Sequence, residues 1–395
     1  MRKFILGSML SCAFFGANHL NALEVTVDPF GYLGVLYNQG IESSPHSYIG
    51  LSARAGANFM LDNNWSLGLG AIGAWSVFSH KDDNAPYKSS GDISDAYVKY
   101  NTQRLKFALG RYNTDFLEFD WIAGNIQGVS VKVFDYHKWN YWGMYMDSML
   151  YNGYQYSGDQ GNRIATDMNA LAAYNPTAKK SYVGGEVIAG GVDYTYKGFR
   201  VSPFVLIDTQ LPTLTKGVLV QVGAKAGYAT NFANTFKSTT LLRGMFQYGD
   251  TDGLAGDDLA GLIWIDQAFK HKIFNFGAGF YAILGADGKG SLWTFSDRTR
   301  FYGRGINSPG VPATYFANST ITGYLFGGLE TNRVKVDAMV AFGIYQEYSL
   351  MADYKVWQYR NMKFNAGGGY VYSYSSKAMN SIGSSSLLFF GKFSY

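Results

Sequence analysis

KIFNFGAGFYAIL, residues 272–284, places Phe274, Phe276, Ala278, Phe280, Ala282 and Leu284 on one side of an extended chain, with Asn275, Gly277, Gly279 and Tyr281 on the other. A period of two is that of a β-strand. Residues 218–228 repeat it, with Val218, Val220, Val222, Ala224, Ala226 and Tyr228 opposed by Gln221, Gly223, Lys225 and Gly227. In residues 51–59, Leu51, Ala53, Ala55, Ala57 and Phe59 oppose Ser52, Arg54, Gly56 and Asn58, so the charged face is the less apolar one. That is the pattern of a wall between lipid and a polar lumen. A soluble β-sandwich also alternates, so the spacing of the turns carries the distinction.

Short polar turns occur at Asp62-Asn63-Asn64, Asn101-Thr102-Gln103, Tyr136-His137-Lys138, Tyr196-Lys197-Gly198, Asn231 to Asn234, Phe269 to Lys272, Thr331-Asn332-Arg333 and Tyr359 to Met362. Longer connections alternate with them at residues 38–47, 79–91, 112–125, 148–183, 208–215, 249–257, 285–317, about 346–350, and 374–384. Short periplasmic turns and long external loops are what an up-and-down membrane barrel shows. With residues 291–302 (SLWTFSDRTRFY) inside a long external loop, the strands number eighteen, sixteen being the alternative. Leu387, Phe389, Gly391, Phe393 and Tyr395 alternate to the last residue. Bacterial outer-membrane barrels end on such an aromatic strand, which the insertion machinery reads, so Tyr395 is the expected signal for that partner.

Composition agrees. The chain has 395 residues, 16% charged and 17% aromatic, with 48 Gly, 31 Tyr and 28 Phe. This is too apolar for a disordered chain and too poor in charge for an average soluble domain. Arg2 and Lys3, the apolar residues 4–15 and Ala22 form a secretory signal over residues 1–22, followed by a single barrel domain over 23–395. Cleavage after Ala22 removes Cys12, the one cysteine, and with it any disulfide or thiolate chemistry. The formal net charge of +4 falls by two with Arg2 and Lys3, which is too balanced for a nucleic-acid binder. No later apolar run reaches the ~18 residues of a membrane helix.

Ala22-Leu23-Glu24-Val25, the segment LKFALGRYNTDFLEFDWIAGNIQGV at 105–129 and the terminal FFGKFSY resemble the Hof group of Helicobacter outer-membrane proteins. More distantly, the chain is similar to the eighteen-stranded substrate-selective porins. The resemblance runs over the mature chain and implies a porin-like fold whose third external loop folds inward. That loop, residues 112–125, carries Asp115, Glu118 and Asp120 beside Phe116, Phe119 and Trp121. In the porins it resembles, such a loop sets the narrowest point, where fixed charges govern selectivity. Its apolar side chains suit packing against a wall. An ordinary external loop with an acidic surface is the alternative.

Alternation assigns Arg54, Arg104, Lys106, Lys132, Lys225, Lys237, Arg243, Lys335 and Lys392 to the inner wall, with Asp95 and Asp337 as acids there. A basic wall facing an acidic loop predicts a weak preference for anions, screened beyond about 8 Å at physiological salt. Tyr136, Trp139, Tyr141, Trp142 and Tyr145 read as a headgroup girdle, a sugar-stacking track being the competing reading. DTDGLAGDD at 250–258 fails the spacing of a calcium loop, so no metal or cofactor is expected. Arg298, Arg300 and Arg304 suit either lipopolysaccharide phosphates, an inward anion path or plain surface charge. His46, His80, His137 and His271 lack a neighbouring nucleophile and orienting group, so no enzyme is expected.

The expected function is passive diffusion of small hydrophilic solutes across an outer membrane, by a monomer or a homotrimer embedded in lipid and lipopolysaccharide. A surface adhesin or structural barrel with a closed lumen, binding through residues 148–183 and 285–317, is the second expectation.

Overall fold

In the strand Phe274–Gly285, Phe276, Phe280 and Leu284 are about half exposed while Tyr281 and Ile283 are buried. The computed structural model repeats this two-residue alternation around a closed barrel. It describes residues 25–41, 47–61, 64–79, 90–122, 124–134, 138–150, 186–209, 218–233, 235–249, 258–285, 290–295, 298–303, 314–377 and 384–395. The proposed signal, His46, His80, His137, Arg304, residues 250–257 and most of 148–183 lie outside them.

Eighteen strands are described: β1 (Thr26–Gly40), β2 (Tyr48–Met60), β3 (Trp65–Ser79), β4 (Ser90–Asn101), β5 (Leu105–Asn113), β6 (Asn125–Phe134), β7 (Trp139–Met149), β8 (Val187–Tyr196), β9 (Phe199–Asp208), β10 (Leu219–Ala233), β11 (Phe236–Gly249), β12 (Asp258–His271), β13 (Phe274–Gly285), β14 (Ile321–Glu330), β15 (Val334–Gly343), β16 (Tyr345–Tyr359), β17 (Met362–Ser375) and β18 (Ser384–Ser394). Each pairs antiparallel with the next, and β1 pairs with β18 from Tyr32↔Ser394 to Gly40↔Ser386, so the sheet closes on itself. Reciprocal backbone bonds between Gly31 and Tyr395, at 3.2 and 3.1 Å, complete the seam. Closure leaves no sheet edge along this seam, which a barrel in hydrocarbon requires. No helix of the described residues is long and apolar enough to cross a membrane.

The outer face carries exposed Leu69 (61%), Leu325 (56%), Ile263 (48%) and Phe389 (53%). Such a coat is stable against lipid and costly against water. Each even-numbered strand from β2 to β16 is followed by the next after two to four residues, where the eight short turns were expected. Lys197 and Gly198 have φ of 47° and 83°, the two positive values a type I′ hairpin needs.

One expected loop is absent. Instead of a connection at 346–350, only Ile344 separates β15 from β16. Gly343, at φ 131°, turns the chain, and residues 345–351 keep the strand period, with Tyr345, Glu347, Ser349 and Met351 buried and Tyr348 and Leu350 exposed. Glu347 and Ser349 made this stretch look like a polar loop because they are inward-facing polar residues.

Candidate functional site: the charged inner wall and two loop segments

The connection after β5 is pinched at its neck. Thr114 donates its backbone N–H to Gly124 at 3.1 Å, and Asn113 Oδ1 accepts from the N–H of Asp115 at 2.8 Å. A single 3₁₀ turn over Asp115–Leu117 ends at Glu118, which has a left-handed φ of 57°. Phe119 then sits between Trp142 of β7 and Phe204 of β9, each ring 4.9 Å away. Leu117, Trp121 and Ile122 are buried with it. Burying this apolar surface fixes the segment against the wall.

Each carboxylate of the segment meets cations. Asp120 accepts from Lys225 Nζ at 2.7 Å and from Arg243 Nε at 2.9 Å, on β10 and β11. Burial raises the Asp120 carboxyl, but Arg243 and Lys225 outweigh that cost and hold it below its ordinary value. Glu118 lies 2.8 Å from Arg200 and 3.7 Å from Lys132, and both bases also reach Asp193, at 3.2 and 3.3 Å. Its carboxyl is likewise lowered: burial raises it, and Lys132 and Arg200 prevail. Asp115 accepts from Arg298 Nη2 at 2.6 Å. Phe116 packs beside the Tyr112 ring, 6.1 Å away.

Arg298 belongs to the connection between β13 and β14, which was expected to be external. Its described parts pack inside the barrel instead. Phe295 and Arg298 donate backbone N–H groups to the carbonyls of Trp121 and Asp120, both at 2.9 Å, and Ile122 and Phe295 form a β-bridge. Gln221 and Gln247 donate to the carbonyls of Trp293 and Ser291, at 2.7 and 2.9 Å. Arg300 Nε is 2.7 Å from Asp266, with its guanidinium 3.8 Å from the Phe326 ring centroid. The buried Glu347 accepts from the N–H groups of Tyr302 and Gly303, at 2.9 and 2.8 Å. Leu292, Phe301 and Tyr302, none measurably exposed, explain the packing: apolar surface on this scale does not remain in water. A cavity of about 210 Å³ lies between the two segments and the wall, lined by Asp120, Arg243, Trp264, Asp266, Arg298 and Arg300.

Of the expected wall residues, Arg54 is bonded to Asp95 at 2.7 Å. Lys132, Lys225 and Arg243 contact the β5–β6 connection as above. Lys106, Lys237, Lys335 and Lys392 lie on inward strand positions towards the short-turn end, and the inward Asp337 accepts from Tyr302 Oη at 2.7 Å. Arg104 does not line the wall: it is exposed in the turn between β4 and β5, where the strand period no longer applies. Trp139 and Tyr141 face outward as a girdle would, but Trp142 faces inward onto Phe119. Arg200, Asp193 and Asp266 were missed, although the same alternation run through β8, β9 and β12 assigns them inward. Nothing in sequence spacing marks Glu347, whose role depends on a connection forty-odd residues away.

No protein-family model and no curated protein matches the sequence. Solved structures do. Pseudomonas aeruginosa OccD3 (OpdP) superposes with a TM-score of 0.65 at 9% identity, covering 93% of this chain and 91% of that one. The P. aeruginosa outer membrane protein opdK gives 0.66 at 12%, covering 94% and 98%. Acinetobacter baumannii OccAB2 gives 0.66 at 12%, covering 93% and 98%. The barrel shares their fold. At these identities the similarity to the eighteen-stranded OprD and Occ porins is one of architecture, and it spans nearly the whole of each chain.

Proposed function

We propose that the protein is a porin-like channel of the bacterial outer membrane for passive diffusion of small hydrophilic solutes, leaning weakly to anions. The observation that carries this reading is a closed eighteen-stranded barrel, apolar outside, whose inner face bears fixed charges around two packed connections. A barrel of that strand number is too wide for wall side chains alone to fill. The 112–125 connection then acts as the constriction, with Asp115, Glu118 and Asp120 held in place by bases and Phe116 and Trp121 packed beside them. The described residues 290–295 and 298–303 share that role, because Phe295 is bridged to Ile122 of the first connection.

Residues 1–22 act as an export signal, and the strand ending at Tyr395 addresses the chain to the insertion machinery, with lipid and lipopolysaccharide as its surroundings. Membership of the Hof-type group rests on the segments at 22–25, 105–129 and 389–395. The protein works as a conduit rather than an enzyme. The adhesin reading is weakened at one of its two loops, since the described residues 290–295, 298–303 and 315–317 are mostly buried. Proteoliposome swelling in small sugars and amino acids tests the proposal. Swelling that slows with solute size supports it, and no swelling above protein-free vesicles overturns it.

A further inference from the structure

The cavity between the two connections and the wall is built on three successive cross-strand pairs of β11 and β12: Arg243↔Trp264, Leu241↔Asp266 and Thr239↔Ala268. Arg243, Trp264 and Asp266 are buried, whereas Thr239, Leu241 and Ala268 are only partly so, and the cavity therefore deepens from its short-turn side towards Trp264. Asp120 of the first connection and Arg298 and Arg300 of the second complete it. It holds about 210 Å³, where one water needs about 10–15 Å³. That is room for a solute of monosaccharide size.

Each charged residue of the lining already has its counter-charge: Asp120 with Arg243 at 2.9 Å, Asp266 with Arg300 at 2.7 Å, and Arg298 with Asp115 at 2.6 Å. Lys225, the second base on Asp120, is not part of the lining, and the next pair down the wall, Lys237↔Lys270, is exposed and screened by salt. A charged solute would leave water to meet groups whose charge is already engaged, which is unfavourable. A hydroxyl both donates and accepts, so it matches such ion pairs without bringing a charge of its own.

The hydrogen-bonding groups are held in place. The Arg300 guanidinium lies 3.8 Å from the Phe326 ring centroid and bonds Asp266 through Nε and Nη2, which leaves Nη1 without an acceptor among the described residues. Asp266 Oδ1 receives only the long, 3.3 Å contact from Arg300. The half-buried Thr239 hydroxyl at the mouth makes no hydrogen bond among the described residues, and Leu241 and Ala268 beside it offer apolar surface to the C–H face of a ring.

We infer that this cavity is a binding subsite for a neutral polyhydroxylated solute, a monosaccharide or a polyol of that size, held by Arg300, Asp266 and Thr239. The inference rests on the channel reading above and names a solute class for it. Binding is weak, because a solute that is to pass must also leave.

The test is equilibrium binding to the refolded barrel in a detergent without a sugar headgroup, followed by tryptophan fluorescence, since Trp121 and Trp264 line the cavity. The probes are glucose and gluconate, six-carbon solutes without and with a charge, and each variant is first checked for heat-modifiable folding. Wild type is expected to saturate with glucose and to bind gluconate about tenfold more weakly. Thr239→Val keeps the volume and removes the hydroxyl, and is expected to weaken glucose binding about fivefold, as loss of one neutral hydrogen bond does. Asp266→Asn leaves Arg300 uncompensated and is expected to bring gluconate up to the affinity of glucose, a reversal that a role in packing alone does not produce. Ala268→Phe fills the cavity and is expected to abolish binding; should it fail to fold, the other two variants carry the test. Absence of saturation with glucose, gluconate binding to wild type as tightly as glucose, or unchanged glucose binding in folded Thr239→Val or Ala268→Phe overturns the inference. Single-channel recording separates this from the porin reading. Wild type that conducts but does not bind glucose loses the subsite and keeps the channel, and wild type that binds glucose yet never conducts loses the channel.

Discussion

Asp120 and Arg243 are separated by 123 residues of chain and by 2.9 Å of space. The contact joins the segment between β5 and β6 to a strand five places further round the barrel, and both side chains are buried. Breaking a buried pair from one side strands the other charge, at a cost of about 3–5 kcal/mol. Asp120→Asn is therefore expected to lower the denaturant or thermal midpoint and to raise open-channel noise as the segment loosens. With Lys225 and Arg243 uncompensated, it shifts selectivity towards anions. Unfolding followed by tryptophan fluorescence, with single-channel recording, checks both.

Asp115 and Arg298 make a contrasting pair. The Asp115 side chain is 61% exposed, and solvent screens its 2.6 Å contact. Asp115→Asn is expected to change stability by less than about 1 kcal/mol. Backbone bonds from Phe295 and Arg298 to Trp121 and Asp120 keep the two segments together without it. A midpoint shift as large as that of Asp120→Asn would mean that the side-chain pair, rather than these backbone bonds, holds the segments.

Glu347 anchors the 298–303 segment through two backbone N–H groups. Glu347→Gln removes the charge and one of the two acceptors, and hydrogen bonds to charged groups contribute about 1.5–3 kcal/mol each. Hydrogen exchange is the readout: the amides of Tyr302 and Gly303 are expected to lose protection while those of β16 keep theirs. Uniform loss across the barrel would contradict a local anchor.

The pH response follows from Asp120 and Glu118, both of which titrate below the ordinary carboxylate value. A depressed folded-state pKa gives stabilisation that is present above the unfolded value and lost as pH falls through the folded one. Conductance and selectivity are therefore expected to hold from neutral pH down to about 4, the ordinary carboxylate range, and to change only below it. A transition near pH 6 would contradict the pairing.

The barrel was legible because lipid outside and polar groups inside impose one period on every strand, and turn residues such as Lys197-Gly198 mark where that period resets. Where a strand carries inward polar residues, as at Glu347 and Ser349, the same composition reads as loop, and the tight turn at Gly343 was missed. For the site, the segment holding Asp115, Glu118 and Asp120 was legible from its mixture of acids and aromatics. Its partners were not, since Asp120–Lys225 and Asp115–Arg298 depend on how the barrel closes in three dimensions. The inward packing of Leu292, Phe301 and Tyr302 was readable only as an apolar excess in a long connection.

The central claim, a water-filled pore through this barrel, is tested most directly by recording the refolded, purified protein in a planar bilayer under a salt gradient. Stable open steps with a reversal potential of small anion preference are the predicted result. A correctly folded, heat-modifiable barrel that inserts yet never conducts would contradict it.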